Sequence, residues 1–181
     1  YNQLLLGGMA GELQPRLMSE FGLTLLDYYD REELQIANAV PTAEGALQLA
    51  MEATDRTIHE SSCLVIGYGR IGRLLAGRLR ALGARTAVSA RRYSDLAWIR
   101  AENFQCLRTD ALAGALGQFD LILNTVPALI LDAGLLGETK ETCVILDLAS
   151  APGGVDLAAA QRLGRRAIAA PGLPGRTAPR T

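Results

Sequence analysis

The feature that most constrains the fold is a regular alternation of short apolar runs and amphipathic stretches over residues 63–170. The apolar runs are continuous rather than alternating, as expected for strands that are covered on both faces. They lie at residues 63–66, 85–90, 104–107, 121–126, 143–148 and 167–170. Strands that alternate with helices form βαβ units. The sequence therefore predicts an α/β fold with a doubly wound parallel sheet.

The amphipathic stretches between the apolar runs predict the helices. In the first stretch, apolar side chains recur at helical spacing, and Gly83 stands where the helix would end. These side chains are Ile71, Leu75, Leu79 and Leu82. Ser94 is of the type that caps a helix. Further short helices are expected over residues 110–116 and 155–163.

A glycine-rich segment joins the first apolar run to the first amphipathic stretch and reads Gly67-Tyr68-Gly69-Arg70-Ile71-Gly72. Gly67 permits a tight turn, Gly69 lets the backbone approach a pyrophosphate, and Gly72 lets the helix and the strand pack closely. The helix start at Arg70 and Ile71 offers free N–H groups to phosphate oxygens. A strand before the motif and a helix after it are the context of a dinucleotide-binding Rossmann fold.

The end of the second predicted strand indicates which nicotinamide cofactor binds. An NAD site usually has Asp or Glu about 20 residues after the glycines, whereas this chain has Ser89, Arg91 and Arg92 there. A hydroxyl group and two guanidinium groups suit a 2′-phosphate, because arginine binds phosphate oxygens through paired hydrogen bonds. We therefore expect NADP.

The ends of the fourth and fifth predicted strands are expected at the same edge of the sheet, where such folds bind ligands. Polar groups there are predicted to hydrogen-bond the cofactor, and apolar groups to form a floor under its ring. The predicted contacts are Asn124, Thr125, Val126, Pro127, Ala149 and Ser150. Asp147 in the same region has two interpretations, a carboxylate that organises the loop or a contact with the substrate.

Composition excludes several classes of protein. A formal net charge of −1 leaves no basic surplus for generic nucleic-acid binding. No apolar stretch is long enough to cross a bilayer, and no cluster of metal ligands is apparent. The three cysteines lie far apart, as expected for buried thiols of a cytoplasmic protein.

Charge and pattern also suggest how the chain is divided. Residues 1–60 carry ten acidic and three basic side chains, whereas residues 61–181 carry nine and fifteen. A strand is expected over residues 22–27, and a helix from Pro41 to about residue 54, because proline is tolerated in a first turn. The expected units are a remnant of an N-terminal substrate lobe (1–40), an interdomain helix and linker (41–60), an NADP-binding Rossmann domain (61–170) and a Pro/Gly-rich return segment (171–181). Since the chain opens on Tyr1 rather than Met, it is expected to be a fragment.

Several segments together resemble the A-subunit family of dipicolinate synthases, enzymes of spore-forming bacteria. They are residues 38–46 (NAVPTAEGA), 65–72 (VIGYGRIG), 124–128 (NTVPA), 147–150 (DLAS), 152–154 (PGG) and 170–175 (APGLPG). The resemblance implies an NADP-dependent oxidoreductase that forms dipicolinate, which is pyridine-2,6-dicarboxylate, from dihydrodipicolinate. It also implies that the partner is the flavoprotein-like B subunit of dipicolinate synthase, and we expect the protein to be a homo-oligomer.

A reaction of this kind leaves an aromatic ring, so the protein mainly positions the substrate, neutralises its charge and accepts a proton. Arg176 is the expected cation for the dicarboxylate. Thr42, near the start of the helix expected at Pro41, is predicted to bind a substrate carboxylate. Glu44 is predicted to accept the proton, although a carboxylate that complements the helix dipole is an equal interpretation.

Three alternatives remain open from the sequence. D-2-hydroxyacid dehydrogenases share the strand, glycine motif and helix, but their catalytic His, Glu and Arg find no matches in this chain. A dehydrogenase of the shikimate or methylene-tetrahydrofolate type would share the arginines and the Asn-Thr-x-Pro segment, although no lysine stands near it. The third alternative is a regulatory protein that binds NADP without catalysis.

Overall fold

The computed structural model describes residues 5–173 and residue 175. Its strands are β1 (Leu5–Gly7), β2 (Leu25–Asp27), β3 (Ser62–Ile66), β4 (Arg85–Ala90), β5 (Gln105–Arg108), β6 (Leu121–Asn124), β7 (Val144–Asp147) and β8 (Arg166–Ala169). Its helices are α1 (Leu13–Phe21), α2 (Glu32–Ala53), α3 (Arg70–Ala81), α4 (Tyr93–Ala101), α5 (Ala133–Glu138) and α6 (Leu157–Arg162). Two short 3₁₀ helices cover Tyr28–Asp30 and Leu116–Gln118.

Strands β3 to β8 form one sheet in the order β5-β4-β3-β6-β7-β8, and every neighbouring pair is parallel. This confirms the predicted doubly wound α/β fold, and each strand lies within two residues of its predicted bounds. The chain winds outward in both directions from β3 and β6, which leaves a crevice at their carboxyl ends. Ile66 and Asn124 are register partners at that edge.

Both faces of the sheet are covered, which explains the continuous apolar runs. Val65, Leu123 and Leu146 lie in one buried cluster with side chains of α2, α3 and α4. Leu64 and Ile122 lie in a second cluster, with side chains of the Leu116–Gln118 turn, α5 and α6. Neighbouring residues of a strand point to opposite faces, so each strand contributes apolar side chains to both clusters.

Helix α2 begins at Glu32, which corrects the prediction that it begins at Pro41. Pro41 lies in the interior of the helix. Glu32 and Glu33 occupy the first turn, where carboxylates interact favourably with the helix dipole. Further along, small side chains such as Ala46 pack into the core against the sheet. The boundary expected at residue 40 therefore falls inside one continuous helix.

Two local helix predictions after β4 are wrong. Ser94 lies inside α4, and Arg92 occupies the N-cap position. Residues 110–116 form turns rather than an α-helix. Gly114 adopts a φ of 78°, which a right-handed helix does not contain, and its N–H donates to Glu138 Oε2 at 2.7 Å. The backbone there is thus held by a side chain instead of by helical hydrogen bonds.

The N-terminal region holds a separate pair of strands, in which β1 and β2 are parallel. The strand expected over residues 22–27 is confirmed in its last three residues, as β2. Sequence patterns did not predict β1, α1 or α5, whereas α6 lies within its expected range. Within the part of the chain that the structure describes, no helix has the length and apolar character needed to span a membrane.

Candidate functional site

A cavity of about 590 Å³ lies at the carboxyl edge of the sheet, between the β3–β6 crevice and the start of α2. This volume is within the range of small-molecule sites, about 300–1,000 Å³. The walls come from residues 29–42, the glycine-rich segment, the ends of β4 and β5, and residues 125–127 after β6. Most of the predicted cofactor-binding segments therefore meet at one place.

The glycine-rich segment forms the centre of the cavity. Gly67 has a φ of 99°, and a Cβ there would lie 2.4 Å from Thr125 Oγ1. A Cβ on Gly72 would lie 2.1 Å from the carbonyl oxygen of Gly67, so only glycine allows this approach of turn and helix. A Cβ on Gly69 would meet no atom within 4 Å, because this position faces the open cavity. The loop thus has the shape of a cradle for a pyrophosphate, next to the N–H groups of Arg70 and Ile71.

The end of β4 carries the predicted arginines, and a carboxylate that sequence patterns did not assign to the site follows them in α4. Arg91 and Arg92 are exposed and line the cavity. Asp95 is buried against it and accepts a hydrogen bond from Arg92 Nε at 2.9 Å. Arg73 Nη2 lies 3.8 Å from the same carboxylate. Arg92 is therefore already paired with an acid, which leaves Arg91 as the freer of the two predicted phosphate ligands.

Ser89 lies beneath the cavity wall and contacts a residue that lines the cavity. It is fully buried, and its Oγ accepts a hydrogen bond from Thr109 Oγ1 at 3.1 Å. Thr109, at the end of β5, lines the cavity in its place. The prediction that Ser89 contacts the cofactor is corrected because its side chain lies inside the sheet. Thr109 comes directly after β5, and residues at the carboxyl ends of parallel strands lie at the ligand-binding edge. This position in the sequence could have identified Thr109 as a cavity residue.

The residues after β6 divide into cavity wall and internal support. Thr125, Val126 and Pro127 line the cavity, and Thr125 Oγ1 donates to the carbonyl oxygen of Ile66 at 2.9 Å. Asn124 is fully buried and does not line the cavity. Its Nδ2 donates to Asp147 Oδ1 at 2.8 Å and to the carbonyl oxygen of Val126 at 3.0 Å. The prediction that Asn124 contacts the cofactor is thus corrected: its side chain stabilises the loop after β6.

Asp147 organises the loop after β7. Its Oδ2 accepts hydrogen bonds from the N–H groups of Gly154 at 2.8 Å and Val155 at 3.2 Å. Its Oδ1 accepts one from Ala149 N at 3.3 Å besides that of Asn124. Of the two interpretations of Asp147, this geometry favours the structural one. Ala149 and Ser150 lie in the same loop and outside the cavity lining, and their contact with the cofactor stays a prediction.

Thr42 and Glu44, predicted for substrate binding and proton transfer, do not meet in the cavity. Thr42 lines the cavity, but it lies in the middle of α2, and its Oγ1 donates to the carbonyl oxygen of Asn38 at 2.9 Å. Glu44 lies outside the cavity lining, and its Oε1 is 3.7 Å from Arg78 Nη2 on α3. Because α2 begins earlier than expected, neither residue has free helix N–H groups beside it. Arg176 lies outside the described residues.

An ion pair crosses one end of the cavity. Arg70 donates to Glu32 through Nε at 2.9 Å and through Nη2 at 2.6 Å, a two-point contact between α3 and the first turn of α2. The hydrogen bonds from Arg70 lower the pKa of Glu32. Those to Glu32 raise the pKa of Arg70, with a smaller contribution from the neighbouring Tyr29. The helix that leads into the sheet is thereby tied to the glycine-rich segment.

The start of α2 adds polar groups to the cavity that sequence patterns did not assign to the site. Tyr29, Gln35 and Asn38 line it together with Thr42. Gln35, Asn38 and Thr42 recur at helical spacing, so they lie on one face of α2. A correct prediction of the helix start at Glu32 would have grouped them. Among the described residues, no group of three or more His, Cys, Asp or Glu side chains is placed to hold a metal ion.

The fold and the cavity define the class of protein. A parallel sheet of this order, with a glycine-rich turn after its first central strand and a cavity at the switch point, is the architecture of a dinucleotide-binding domain. Residues 24–170 match the NAD binding domain of D-isomer specific 2-hydroxyacid dehydrogenases. The chain belongs to this family of nicotinamide dinucleotide-binding domains.

Among individual proteins, the chain is similar to the A subunit of dipicolinate synthase from Bacillus subtilis, strain 168. The two are 36% identical over 178 residues, which are 98% of this chain and 60% of that protein. Two crystal structures agree, each at 36% identity. The A subunit of dipicolinate synthase from Bacillus subtilis gives a TM-score of 0.91 over 98% of this chain and 59% of that chain. The A subunit from Bacillus halodurans gives 0.90 over 97% and 60%.

These similarities confirm the resemblance found in the sequence motifs. The chain spans about 60% of the length of these relatives.

Proposed function

We propose that the chain is the NADP-binding part of an oxidoreductase that forms dipicolinate from dihydrodipicolinate. One observation carries the proposal: the cavity at the switch point combines a cradle at Gly69 with the guanidinium group of Arg91. The chain that forms this cavity is 36% identical to the A subunit of a dipicolinate synthase. The cavity supports dinucleotide binding, the arginine supports NADP over NAD, and the similarity supports the substrate.

Each wall has a separate task in this proposal. The N–H groups at the start of α3 and the open backbone at Gly69 hold the pyrophosphate. Arg91 binds the 2′-phosphate, with Arg92 held beside it by Asp95. Thr125, Val126 and Pro127 face the nicotinamide half at the end of β6. The bound nicotinamide supplies the hydride chemistry.

Oxidation of dihydrodipicolinate removes one hydride and one proton and leaves an aromatic ring. The residues of the chain orient the ring against the nicotinamide, exclude water and neutralise the two carboxylates. We do not assign the proton acceptor to Glu44, because its carboxylate pairs with Arg78 outside the cavity. Arg70 lines the cavity at the α2 end, and its guanidinium group is hydrogen-bonded to Glu32.

We further propose that the protein acts in the cytoplasm during spore formation, as a homo-oligomer that works with the flavoprotein-like B subunit of dipicolinate synthase. The similarity to a protein named as one subunit of a synthase supports a partner chain. Mixing the protein with the B subunit, then measuring co-elution and turnover, tests this part. Separate elution, with full turnover when the B subunit is left out, would contradict it.

The cofactor assignment is tested by calorimetric titration with NADPH and with NADH. We expect NADPH to bind more tightly, and the Arg91→Ala/Arg92→Ala variant to lose that preference. Arg85→Ala/Arg100→Ala is the matched control, because both of its arginines are exposed and lie outside the cavity lining. Equal affinities for NADPH and NADH in the wild type would refute the choice of NADP.

A second candidate function is NADP binding without catalysis. It is favoured by the cavity itself, since its described lining contains no His, Lys or Glu and its one carboxylate, Asp95, is paired with Arg92. Hydride transfer from dihydrodipicolinate, measured together with the B subunit, would exclude this candidate. Stoichiometric NADPH binding without turnover under the same conditions would support it.

A further inference from the structure

The α2 wall, defined as Tyr29, Gln35, Asn38 and Thr42, is part of the cavity lining that α2 and the turn before it contribute. All four side chains are polar and uncharged. The dinucleotide assignment accounts for the glycine-rich segment and for the strand ends, and leaves this wall without a role. Polar groups in the lining of a small-molecule cavity are placed to orient a bound ligand.

Tyr29 is held at three points. Its N–H donates to Asp27 Oδ1 at 2.8 Å, and its carbonyl oxygen accepts from Gln35 Nε2 at 2.8 Å. Its phenolic oxygen accepts a hydrogen bond from Asn38 Nδ2 at 2.8 Å. Asp27 also accepts hydrogen bonds from the N–H groups of Ala10 and Met9, so the whole turn is fixed. Because both ends of the side chain are fixed, the hydroxyl group has a defined position at the cavity.

The direction of the Asn38 hydrogen bond decides what Tyr29 offers to a ligand. A phenol has one proton and accepts through its lone pairs. Because Asn38 donates to the oxygen, the phenolic proton is available for another acceptor. Among the described residues, the hydrogen bond from Asn38 is the one that the structure gives to this hydroxyl group, and in it the phenolic oxygen accepts. Tyr29 therefore presents a hydrogen-bond donor to the cavity.

An ion pair lies beside this donor, because the guanidinium group of Arg70 binds the carboxylate of Glu32. Tyr29 lies close enough to Arg70 to contribute to the raised pKa of that guanidinium, for which Glu32 is the main cause. Glu32 shows that a carboxylate fits the Arg70 fork, with contacts of 2.9 and 2.6 Å. A phenolic donor forms a stronger hydrogen bond with a charged carboxylate oxygen than with a neutral sugar hydroxyl group.

We propose that Tyr29 Oη, oriented by Asn38, donates a hydrogen bond to a carboxylate oxygen of the small-molecule substrate at the α2 wall. This inference rests on the proposed function and deepens it, since it places one carboxylate of the dicarboxylate substrate. Asn38 is a positioning residue, because it acts through the hydroxyl group of Tyr29.

The test is a calorimetric titration of the protein with dipicolinate, run with saturating NADPH and again without it. Tyr29→Phe should weaken dipicolinate binding about tenfold or more, as expected for a lost hydrogen bond to a charged group. NADPH affinity should not change, which also shows that the variant folds. Tyr28→Phe is the matched control, because Tyr28 is the neighbouring, exposed tyrosine and does not line the cavity.

A double-mutant cycle separates positioning from a merely structural role of Asn38. Asn38→Ala should weaken dipicolinate binding about threefold to tenfold, and the Tyr29→Phe/Asn38→Ala variant should bind no more weakly than Tyr29→Phe alone. Independent, additive losses would overturn the role of Asn38.

The outcomes of the titration distinguish this inference from the proposed function. Absence of NADPH binding by the wild type would refute the proposed function. Equal dipicolinate affinities of the wild type and Tyr29→Phe would overturn the inference while NADPH still binds. Failure of the wild type to bind dipicolinate in either titration would overturn it as well.

Discussion

Replacement of Asp147 by Asn should destabilise the protein by about 2–4 kcal/mol, because hydrogen bonds to a charged group contribute about 1.5–3 kcal/mol each. Both carboxylate oxygens of Asp147 face donors: Asn124 Nδ2 and Ala149 N point to Oδ1, and Gly154 N and Val155 N to Oδ2. An asparagine has one acceptor oxygen, so its NH₂ group would meet N–H groups in either orientation. The two bonds of 2.8 Å carry most of the estimate.

Asp147→Ala should cost about 3–5 kcal/mol, because it leaves four buried or half-buried donors without this acceptor. The assay is urea unfolding followed by circular dichroism, with the slope of the transition compared between variants. The matched control is Asp156→Asn. Asp156 caps α6 by accepting one hydrogen bond from Ala159 N at 2.8 Å. Asparagine is as good a cap as aspartate, so a change within about 0.5 kcal/mol is expected.

An Asp147→Asn variant as stable as the wild type would refute this role of the carboxylate. If such a stable variant also binds dipicolinate much more weakly while NADPH affinity is unchanged, the loop role is wrong. The other interpretation of Asp147, a contact with the substrate, would then be correct.

Other parts of the molecule give three more predictions. Gly72→Ala should destabilise the protein by about 1–3 kcal/mol in urea unfolding, because its Cβ would lie 2.1 Å from a carbonyl oxygen; unchanged stability would contradict this packing. Burial opposes ionisation of Asp120, but hydrogen bonds from Lys140 and a backbone N–H prevail and lower its pKa. Ionised Asp120 should make its full contribution to the free energy of unfolding above about pH 4, and this contribution should decline as pH falls through the lowered pKa. In acid-induced unfolding, Lys140→Met should make the free energy of unfolding depend less on pH. Burial raises the pKa of Cys63 and of Cys143 to about 12, so iodoacetamide should modify these two thiols only after unfolding. Rapid labelling of Cys63 or Cys143 in the folded protein, as distinct from the half-buried Cys106, would contradict their burial.

The sheet could be predicted from the sequence because its four inner strands, β4, β3, β6 and β7, are buried on both faces. Continuous apolar runs separated by turns have few other stable arrangements. The glycine-rich segment was equally informative, since its roles depend on local geometry alone. Each apolar run and the glycine-rich segment are encoded in short stretches of consecutive residues, which are the patterns that a sequence shows directly.

The remaining features depend on contacts between distant segments. Pro41 is usually a sign of a helix start, yet packing of α2 against the sheet keeps it inside a longer helix. Asn124 and Asp147 each end a strand and were assigned to the ligand edge, but they bond to each other across neighbouring strands. The pairing of Asp95 with Arg92 depends on how α4 follows β4. A sequence pattern indicates which edge of the sheet a residue occupies, whereas its side-chain partner is decided by packing.

The most direct test of a dinucleotide site in the cavity is an NADPH titration of the wild type, Gly69→Val and Gly137→Val. Gly69 has a φ of −81°, which valine adopts without strain, and a Cβ there meets nothing within 4 Å of the protein, so the variant should fold normally. Gly137 is the matched control, an exposed glycine in α5 with equally open space. We predict that the wild type and Gly137→Val bind one NADPH per chain, and that Gly69→Val loses binding because its side chain fills the pyrophosphate cradle. Equal NADPH affinity in all three proteins would contradict a dinucleotide site in this cavity.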